Sequence, residues 1–175
     1  LDALKRIARF WRQKLPLRVI GLIGCDGNCI ASQLMTNILS QRFRTKALEN
    51  QNDAAGLALA ILKQGKTTDR LVVSVMPNKA MLLHEIALPQ IFVMMDIQKA
   101  GLHGKTTRKS IRPGLLKFIQ SIRLHPDSVN AMVFNFDDPL TLKLVDRLPT
   151  SIFFYGFNPQ ADLWADGVEG LGVEG

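Results

Sequence analysis

The stretch VIGLIGCDGNCIASQLMTNIL, residues 19–39, decides the fold. It begins with an apolar run typical of a buried strand. It ends with apolar residues that repeat at three and four, which predicts a helix packed on a sheet. Between these patterns, Gly21, Gly24 and Gly27 fit a tight strand-to-helix turn. Such a turn lets backbone N–H groups converge on a phosphate, but it also occurs without a ligand. The sequence therefore predicts a P-loop-like unit and leaves its ligand open.

The same alternation of strand and helix patterns continues along the chain. The predicted strands are Leu17–Ile23, Leu71–Met76, Gln90–Met95, Ala131–Asn135 and Ser151–Tyr155. The predicted helices after the first stretch are Ala54–Leu62, Ala80–Leu88, Leu115–Ile122 and Leu140–Leu148. The strand patterns mostly lack strict alternation, so both faces of the sheet are expected to be covered. We predict an α/β fold of three layers, with a mostly parallel sheet and helices on both faces.

Single residues predict several boundaries. Asp2 is a common N-cap residue and predicts the start of a leading helix within residues 1–16. Pro113 predicts the first turn of the helix that contains Leu115–Ile122, because proline fits there and breaks a helix interior. The main domain is expected to span residues 17–165. The glycine-rich, acidic residues 166–175 are expected to form a tail or linker.

Composition limits the class of protein. The chain has 175 residues, of which 47% are hydrophobic, and this is enough for the core of one domain. No apolar run reaches the roughly 20 residues that a membrane span requires. The basic, helix-periodic N-terminus is unlike a signal peptide. Two cysteines cannot build a disulfide framework and fit a reducing compartment, so we expect a cytoplasmic protein.

The net charge of +7 is unevenly distributed. Residues 97–126 contain seven basic and no acidic residues, and residues 1–20 contain six basic residues against Asp2. This asymmetry indicates an anionic partner such as phosphate, nucleic acid or an acidic protein face, although a solvated basic surface also fits. Phe118 is the only aromatic residue in the second region. Base stacking is therefore not favoured, and nonspecific phosphate contact through Lys99–Arg123 stays open.

Two further groups of residues carry possible chemistry. Cys25 and Cys29 suggest a metal site, but none of His84, His103 and His125 has ligand spacing to them, and buried thiols at a turn are favoured. A Cys–His nucleophile pair has no supporting motif. Asp137, Asp138 and Pro139 form a possible carboxylate pair. They also fit an N-cap followed by a proline in the first turn of a helix.

Five segments occur in an order that a known family shares. They are GCDGNC (24–29), ENQNDAAGLALAIL (49–62), DRLVVSV (69–75), PQIFVMMDI (89–97) and VFNFDDP (133–139). This order resembles the central ATP-binding domain of the Mur ligases, which form amide bonds on peptidoglycan precursors through an acyl phosphate. The resemblance runs from about Leu17 to Ala165 and is most specific at the last segment, where the family has N-A-D-D-P. The D-alanyl-D-alanine-adding ligase and the lipid II isoglutaminyl synthase subunit are the most similar branches.

The resemblance implies a nucleotide site at two places. At the loop it implies contacts from Gly24, Gly27, Asn28 and Cys29. Beside the adenine and ribose it implies contacts from Asn135 and Asp138.

The departures from the family pattern affect the residues that bind phosphate and metal in the family. The family loop reads G-T-N-G-K-T/S, so Asn28 replaces the lysine and Cys29 replaces the magnesium-binding hydroxyl. Ser74 stands where the family has a metal-binding glutamate. The second metal-side residue falls at Ala100 or Gly101, and the segment Arg112–Gly114 occupies the region of a modified lysine. These losses remove groups that stabilise charge in phosphoryl transfer.

We therefore predict a Mur ligase-like domain without catalytic or metal-binding residues. It would serve as a scaffold, a regulatory partner or a binder of ATP or another nucleotide, with little role for magnesium and with a protein partner. Two alternatives stay open. One is an active ATP-dependent acid–amino-acid ligase of the peptidoglycan precursor type, completed by a partner chain. The other is a basic, nucleic-acid-associated protein.

Overall fold

Helices and strands alternate along the computed structural model, which describes residues 1–24, 28–49, 51, 53–95, 108–125, 128–145 and 148–168. The helices are α1 Asp2–Lys14, α2 Asn28–Ser40, α3 Ala54–Leu62, α4 Ala80–Ala87, α5 Arg108–Leu124 and α6 Pro139–Val145. The strands are β1 Arg18–Ile23, β2 Thr45–Leu48, β3 Arg70–Val75, β4 Ile91–Met94, β5 Ala131–Asn135, β6 Ser151–Gly156 and β7 Leu163–Trp164. A short 3-10 helix, Pro77–Lys79, precedes α4.

The strands form one seven-stranded sheet in the order β2-β3-β1-β4-β5-β6-β7. Every described strand pair is parallel. Strand β1 lies inside the sheet, where Ile20 pairs with Val72 of β3 on one side and Ile91 of β4 on the other. The predicted parallel sheet is confirmed.

Helices cover both faces of the sheet. Helix α1 packs against α3 and α4, and α4 packs against α5, so these four helices share one face. The crossover from β1 through α2 to β2 runs in the opposite direction along the sheet from the later crossovers. Because parallel crossovers are right-handed, α2 must lie on the other face, where it contacts β1, β2 and β3. The predicted three-layer α/β architecture is confirmed.

An aromatic cluster fills the core between the sheet and α4 and α5. The rings of Phe92 and Phe118 meet edge to face at 4.8 Å, and His84 lies about 6 Å from both. Burial lowers the pKa of His84, and the charges of Arg9 and His125 lower it further. His84 is therefore a neutral core residue at physiological pH.

Gly21 belongs to this core and not to the glycine loop. It lies inside β1, and a Cβ added there would come within 2.8 Å of Leu83 Cδ2 and 2.9 Å of Phe92 Cδ1. The glycine lets α4 and β4 approach β1 closely. Gly21 of the opening stretch thus serves the core packing.

Two predicted helix starts are wrong. Helix α1 begins at Asp2 itself, Leu1 is its N-cap residue, and no side chain caps the helix. A carboxylate within the first turn is stabilised by the helix dipole without being a cap. Helix α5 begins at Arg108, so Pro113 lies inside it and not in its first turn. Pro113 costs α5 one backbone hydrogen bond, the one that an N–H at this position would donate to the carbonyl of Lys109. Buried side chains further along α5 hold the helix on the core.

Gly114 lies where α5 meets the 3-10 helix. A Cβ added at this glycine would lie 3.4 Å from both Cα and O of Asn78, which is an ordinary van der Waals contact. The packing at this position therefore does not require a glycine.

Asp69 ties the beginnings of β2 and β3 together. Its carboxylate accepts hydrogen bonds from the backbone N, Nε and Nη2 of Arg44 at 2.9–3.0 Å. The side-chain and then the backbone hydrogen bonds of Arg44 lower the pKa of Asp69 to about 2. Because the pKa is lower in the folded protein, this contribution to stability is present above the unfolded pKa near 4 and is lost as pH falls through about 2.

Replacing Asp69 with asparagine is therefore expected to lower the melting temperature at pH 6 and to matter progressively less toward pH 2. Thermal melting of the wild type and the variant between pH 2 and 6 measures the difference. Asp2→Asn is a matched control, since that carboxylate is 94% exposed and makes only a 3.9 Å contact with Lys5. A difference that stays constant over this pH range would contradict the ion pair.

Candidate functional site

The carboxyl ends of the central strands form one edge of the sheet, which is the usual ligand-binding edge of a parallel sheet. The register places Ile23 level with Met94, and Met94 level with Phe134. Gly24 and Asn135 each follow these positions by one residue. They therefore lie at the same level on strands that are two apart in the sheet. The usual spacing between neighbouring strands puts the two residues about 10 Å from each other.

The loop between β1 and α2 begins at this edge. Gly24 is buried, and its backbone N–H donates to the carbonyl of Val75 at 3.4 Å. Helix α2 begins at Asn28, so the positive end of its dipole lies immediately after the loop and favours an anion. Cys29 is half-buried in the first turn and forms no disulfide. The strand–loop–helix arrangement is present, whereas residues 25–27 and the side chain of Asn28 lie outside the described residues.

Ser74 occupies the position on β3 where the resemblance expects a metal-binding glutamate. It is only 1% exposed, it is level with Leu22 of β1, and its carbonyl accepts a hydrogen bond from the Gln51 backbone at 3.1 Å. Ser74 therefore offers a neutral hydroxyl where the resemblance expects the negatively charged oxygen that magnesium prefers.

The corner after β5 is held by its own hydrogen bonds. Asn135 Oδ1 accepts from the backbone N–H of Asp137 at 2.9 Å, and Thr141 Oγ1 donates to the carbonyl of Asn135 at 2.6 Å. Asp138 is buried at 3% exposure. Pro139 is the first residue of α6, which confirms the predicted position of the proline. These contacts hold Asn135 and Asp138 at the same edge as Gly24.

Asp137 has a separate structural task. Its Oδ2 accepts from the backbone N–H of Phe157 at 2.7 Å, and its Oδ1 accepts from that of Asn158 at 3.2 Å. A Cβ added at Gly156 would lie 2.5 Å from Asp137 Oδ2, so the glycine is needed for this approach. Asp137 thus ties β5 to the loop after β6, while Asp138 is buried. The glycine of YGF, residues 155–157, is the only sequence signal for this contact.

The other predicted sites receive limited support. Within the described part of the chain, no three His, Cys, Asp or Glu side chains come together as metal ligands. In the basic stretch Lys99–Arg123, residues 99–107 and the side chains of 108–112 lie outside the described residues, and Lys117 is exposed on α5. Nucleic-acid binding by this stretch stays a prediction. None of the described helices has the length and hydrophobicity needed to cross a membrane.

Comparison with known proteins identifies several relatives. No protein-family model matches the sequence. The chain is 26% identical over 144 residues to UDP-N-acetylmuramoyl-tripeptide–D-alanyl-D-alanine ligase of Bacillus subtilis (strain 168), covering 80% of this chain and 31% of the relative. The structure is similar to the MurF ligase of Thermotoga maritima in complex with ADP, with a TM-score of 0.71 and 25% identity over 90% of this chain and 36% of the other.

A second structure supports the fold alone. MurF from Acinetobacter baumannii matches with a TM-score of 0.76 at 17% identity, over 95% of this chain and 37% of the other. The chain thus spans only 31–37% of the length of these relatives. The resemblance inferred from the five sequence segments is confirmed, and the relatives found belong to the D-alanyl-D-alanine-adding branch.

Proposed function

Because this chain belongs to the Mur ligase family and matches its central domain, we propose that it binds an adenine nucleotide without transferring a phosphoryl group. Its role would be regulatory or scaffolding, in the cytoplasm, in the synthesis of peptidoglycan precursors. The observation that carries the proposal is the buried hydroxyl of Ser74 at the expected metal position. A serine at this position lacks the carboxylate that would bind the metal, while the carboxyl edge that we assign to the nucleotide is kept.

Nucleotide binding is supported by the arrangement of the carboxyl edge. The loop after β1 leads directly into the N-terminus of α2, where backbone N–H groups attract phosphate oxygens. Asn135 and Asp138 are held at the same edge and are the residues that we assign to the adenine and ribose. The Thermotoga maritima relative was solved with ADP. The proposed contacts are Gly24, Gly27, Asn28 and Cys29 for the phosphates and Asn135 and Asp138 for the nucleoside.

The absence of phosphoryl transfer follows from the charges that this edge lacks. When bound, magnesium would neutralise charge on the transferring phosphoryl group, but Cys29 offers a soft thiol where the family pattern has a hydroxyl, and Ser74 offers a neutral hydroxyl where it has a carboxylate. Asn28 carries no charge to replace a lysine. Loss of even one stabilising donor typically costs roughly 100- to 1,000-fold in rate.

The test compares nucleotide binding with turnover. We expect ADP and ATP to bind with affinities that magnesium changes little, and Asp138→Ala to weaken binding about tenfold, as expected for the loss of one hydrogen bond to a charged group. Calorimetric titration measures the affinities. Asp166→Asn, an exposed carboxylate beyond β7, is the control and is expected to leave them unchanged.

Two results would overturn the proposal. Absence of ADP binding would remove the nucleotide site. Magnesium-dependent ATP turnover that disappears in Asp138→Ala or in an Asn28 variant would instead favour the active amide ligase. That alternative requires a partner chain or further domain to supply the missing charges.

A further inference from the structure

A cleft of about 390 Å³ opens at the opposite edge of the sheet, below the amino ends of β1 and β4. Its walls come from the end of α1, the segment Leu15–Leu17 and the turn after α4. The polar residues that line it are Arg12, Gln13, Arg18 and Gln90. The volume lies within the range of small-molecule sites, roughly 300–1,000 Å³.

Arg12 is a buried cation in the wall of this cleft, with 4% of its surface exposed. Its Nε donates to the carbonyl of Ala87 at 2.8 Å, and its Nη1 and Nη2 make longer bonds of 3.4 Å to the Leu15 carbonyl and Gln90 Oε1. All these acceptors are neutral, and a guanidinium has more N–H donors than they use. No described carboxylate forms an ion pair with Arg12. Burial lowers its pKa to about 10, so it stays charged at neutral pH.

Buried cations are costly unless an anion pairs with them. The helix C-terminal carbonyls of Ala87 and Leu15 offset part of this cost. Gln90 is held in place because its Oε1 also accepts from the backbone N–H of Val19 at 2.7 Å. Arg12 lines the cleft, so an anion there could accept from the guanidinium N–H groups that its three bonds leave over.

A second cation lines the same cleft. Arg18 is the exposed first residue of β1, and the described residues offer its guanidinium no hydrogen bond or ion pair. Leu88 lines the cleft as well, and its left-handed backbone, with φ of 48°, ends α4 as a C-cap.

We propose that this cleft binds a phosphate group, held between the guanidinium groups of Arg12 and Arg18. The planar guanidinium matches phosphate oxygens in a two-pronged geometry, and two of them favour a dianion over a single carboxylate. The site uses the basic N-terminal region, which the candidate nucleotide site at the other edge does not explain. The same chemistry fits inorganic phosphate and a phosphate monoester.

The experiment is a calorimetric titration of the whole chain with inorganic phosphate at low ionic strength, with glycerol phosphate and acetate as parallel arms. Saturable phosphate binding is expected to weaken about tenfold in Arg18→Gln, which loses one charge-assisted hydrogen-bonding group at an exposed position. Arg9→Gln removes the same charge from α1 outside the cleft and is expected to bind like the wild type.

The arms separate the outcomes. Stronger binding of glycerol phosphate than of inorganic phosphate would assign the site to a monoester, and the reverse would assign it to the free ion. Equal weakening by Arg9→Gln and Arg18→Gln would mean diffuse attraction and overturn the proposal. So would equal binding of acetate or no saturable binding. In the last case Arg12 serves only to cap α1 and α4.

Discussion

Replacing Phe92 with alanine is expected to lower the free energy of unfolding by about 3–5 kcal/mol. The side chain is fully buried on β4, and its ring packs edge to face on Phe118 at 4.8 Å. The substitution removes apolar surface from the core and leaves a cavity between the sheet and α5, which packed neighbours fill only partly. Urea unfolding followed by circular dichroism measures the change.

Phe153 provides a matched control for this substitution. The register places Ile152 on the same face as Phe92, so Phe153 on β6 points to the opposite face, where it is 42% exposed. Phe153→Ala is expected to change the free energy of unfolding by less than about 1 kcal/mol. Similar losses for the two substitutions would contradict the position of the core on the face of α4 and α5.

Replacing Gly21 with valine is expected to cost about 2 kcal/mol, since it overpacks the same region. An added Cβ lies 2.8 Å from Leu83 and 2.9 Å from Phe92, and both of these side chains are fully buried and have little room to move. Gly65→Ala is the control, because a Cβ there meets no atom within 4 Å. That variant is expected to match the wild type or gain up to about 1 kcal/mol.

The two core substitutions are expected to compensate each other. In a Phe92→Ala background the valine at position 21 would occupy part of the new cavity, so its cost should fall by about 1 kcal/mol. Unfolding of the double variant measures this coupling. Strict additivity would mean that Gly21 and Phe92 do not share the packing described here.

The sequence predicted the buried central strands correctly because their apolar runs reflect burial on both faces. It missed β2 and β7, which are edge strands of four and two residues with little apolar pattern. Edge strands form because a neighbour offers unpaired backbone groups, and a single-sequence pattern does not contain that neighbour. Pro113 was misplaced for a related reason, since tertiary packing of α5 outweighs a local preference.

The candidate site was predictable in position and only partly in role. The order of strands and glycines placed Gly24 and Asn135 at one edge. The sequence motif could not separate Asp137 from Asp138, because their roles depend on Phe157 and Asn158, some twenty residues further along the chain. Arg12 gave no local signal beyond its charge, since two of its three acceptors, on Ala87 and Gln90, come from the end of α4 and the turn after it.

The central position of β1 governs the order in which the chain can fold. Both edges of β1 are paired only after β3 and then β4 have been added, as the pairing of Ile20 with Val72 and with Ile91 shows. Because every described pair is parallel, no two consecutive strands can nucleate as a hairpin, and each pairing closes a long loop of chain. A nascent chain leaving the ribosome therefore carries β1 with at least one unpaired edge until β4 has emerged. Unpaired apolar strands of this kind promote aggregation during folding.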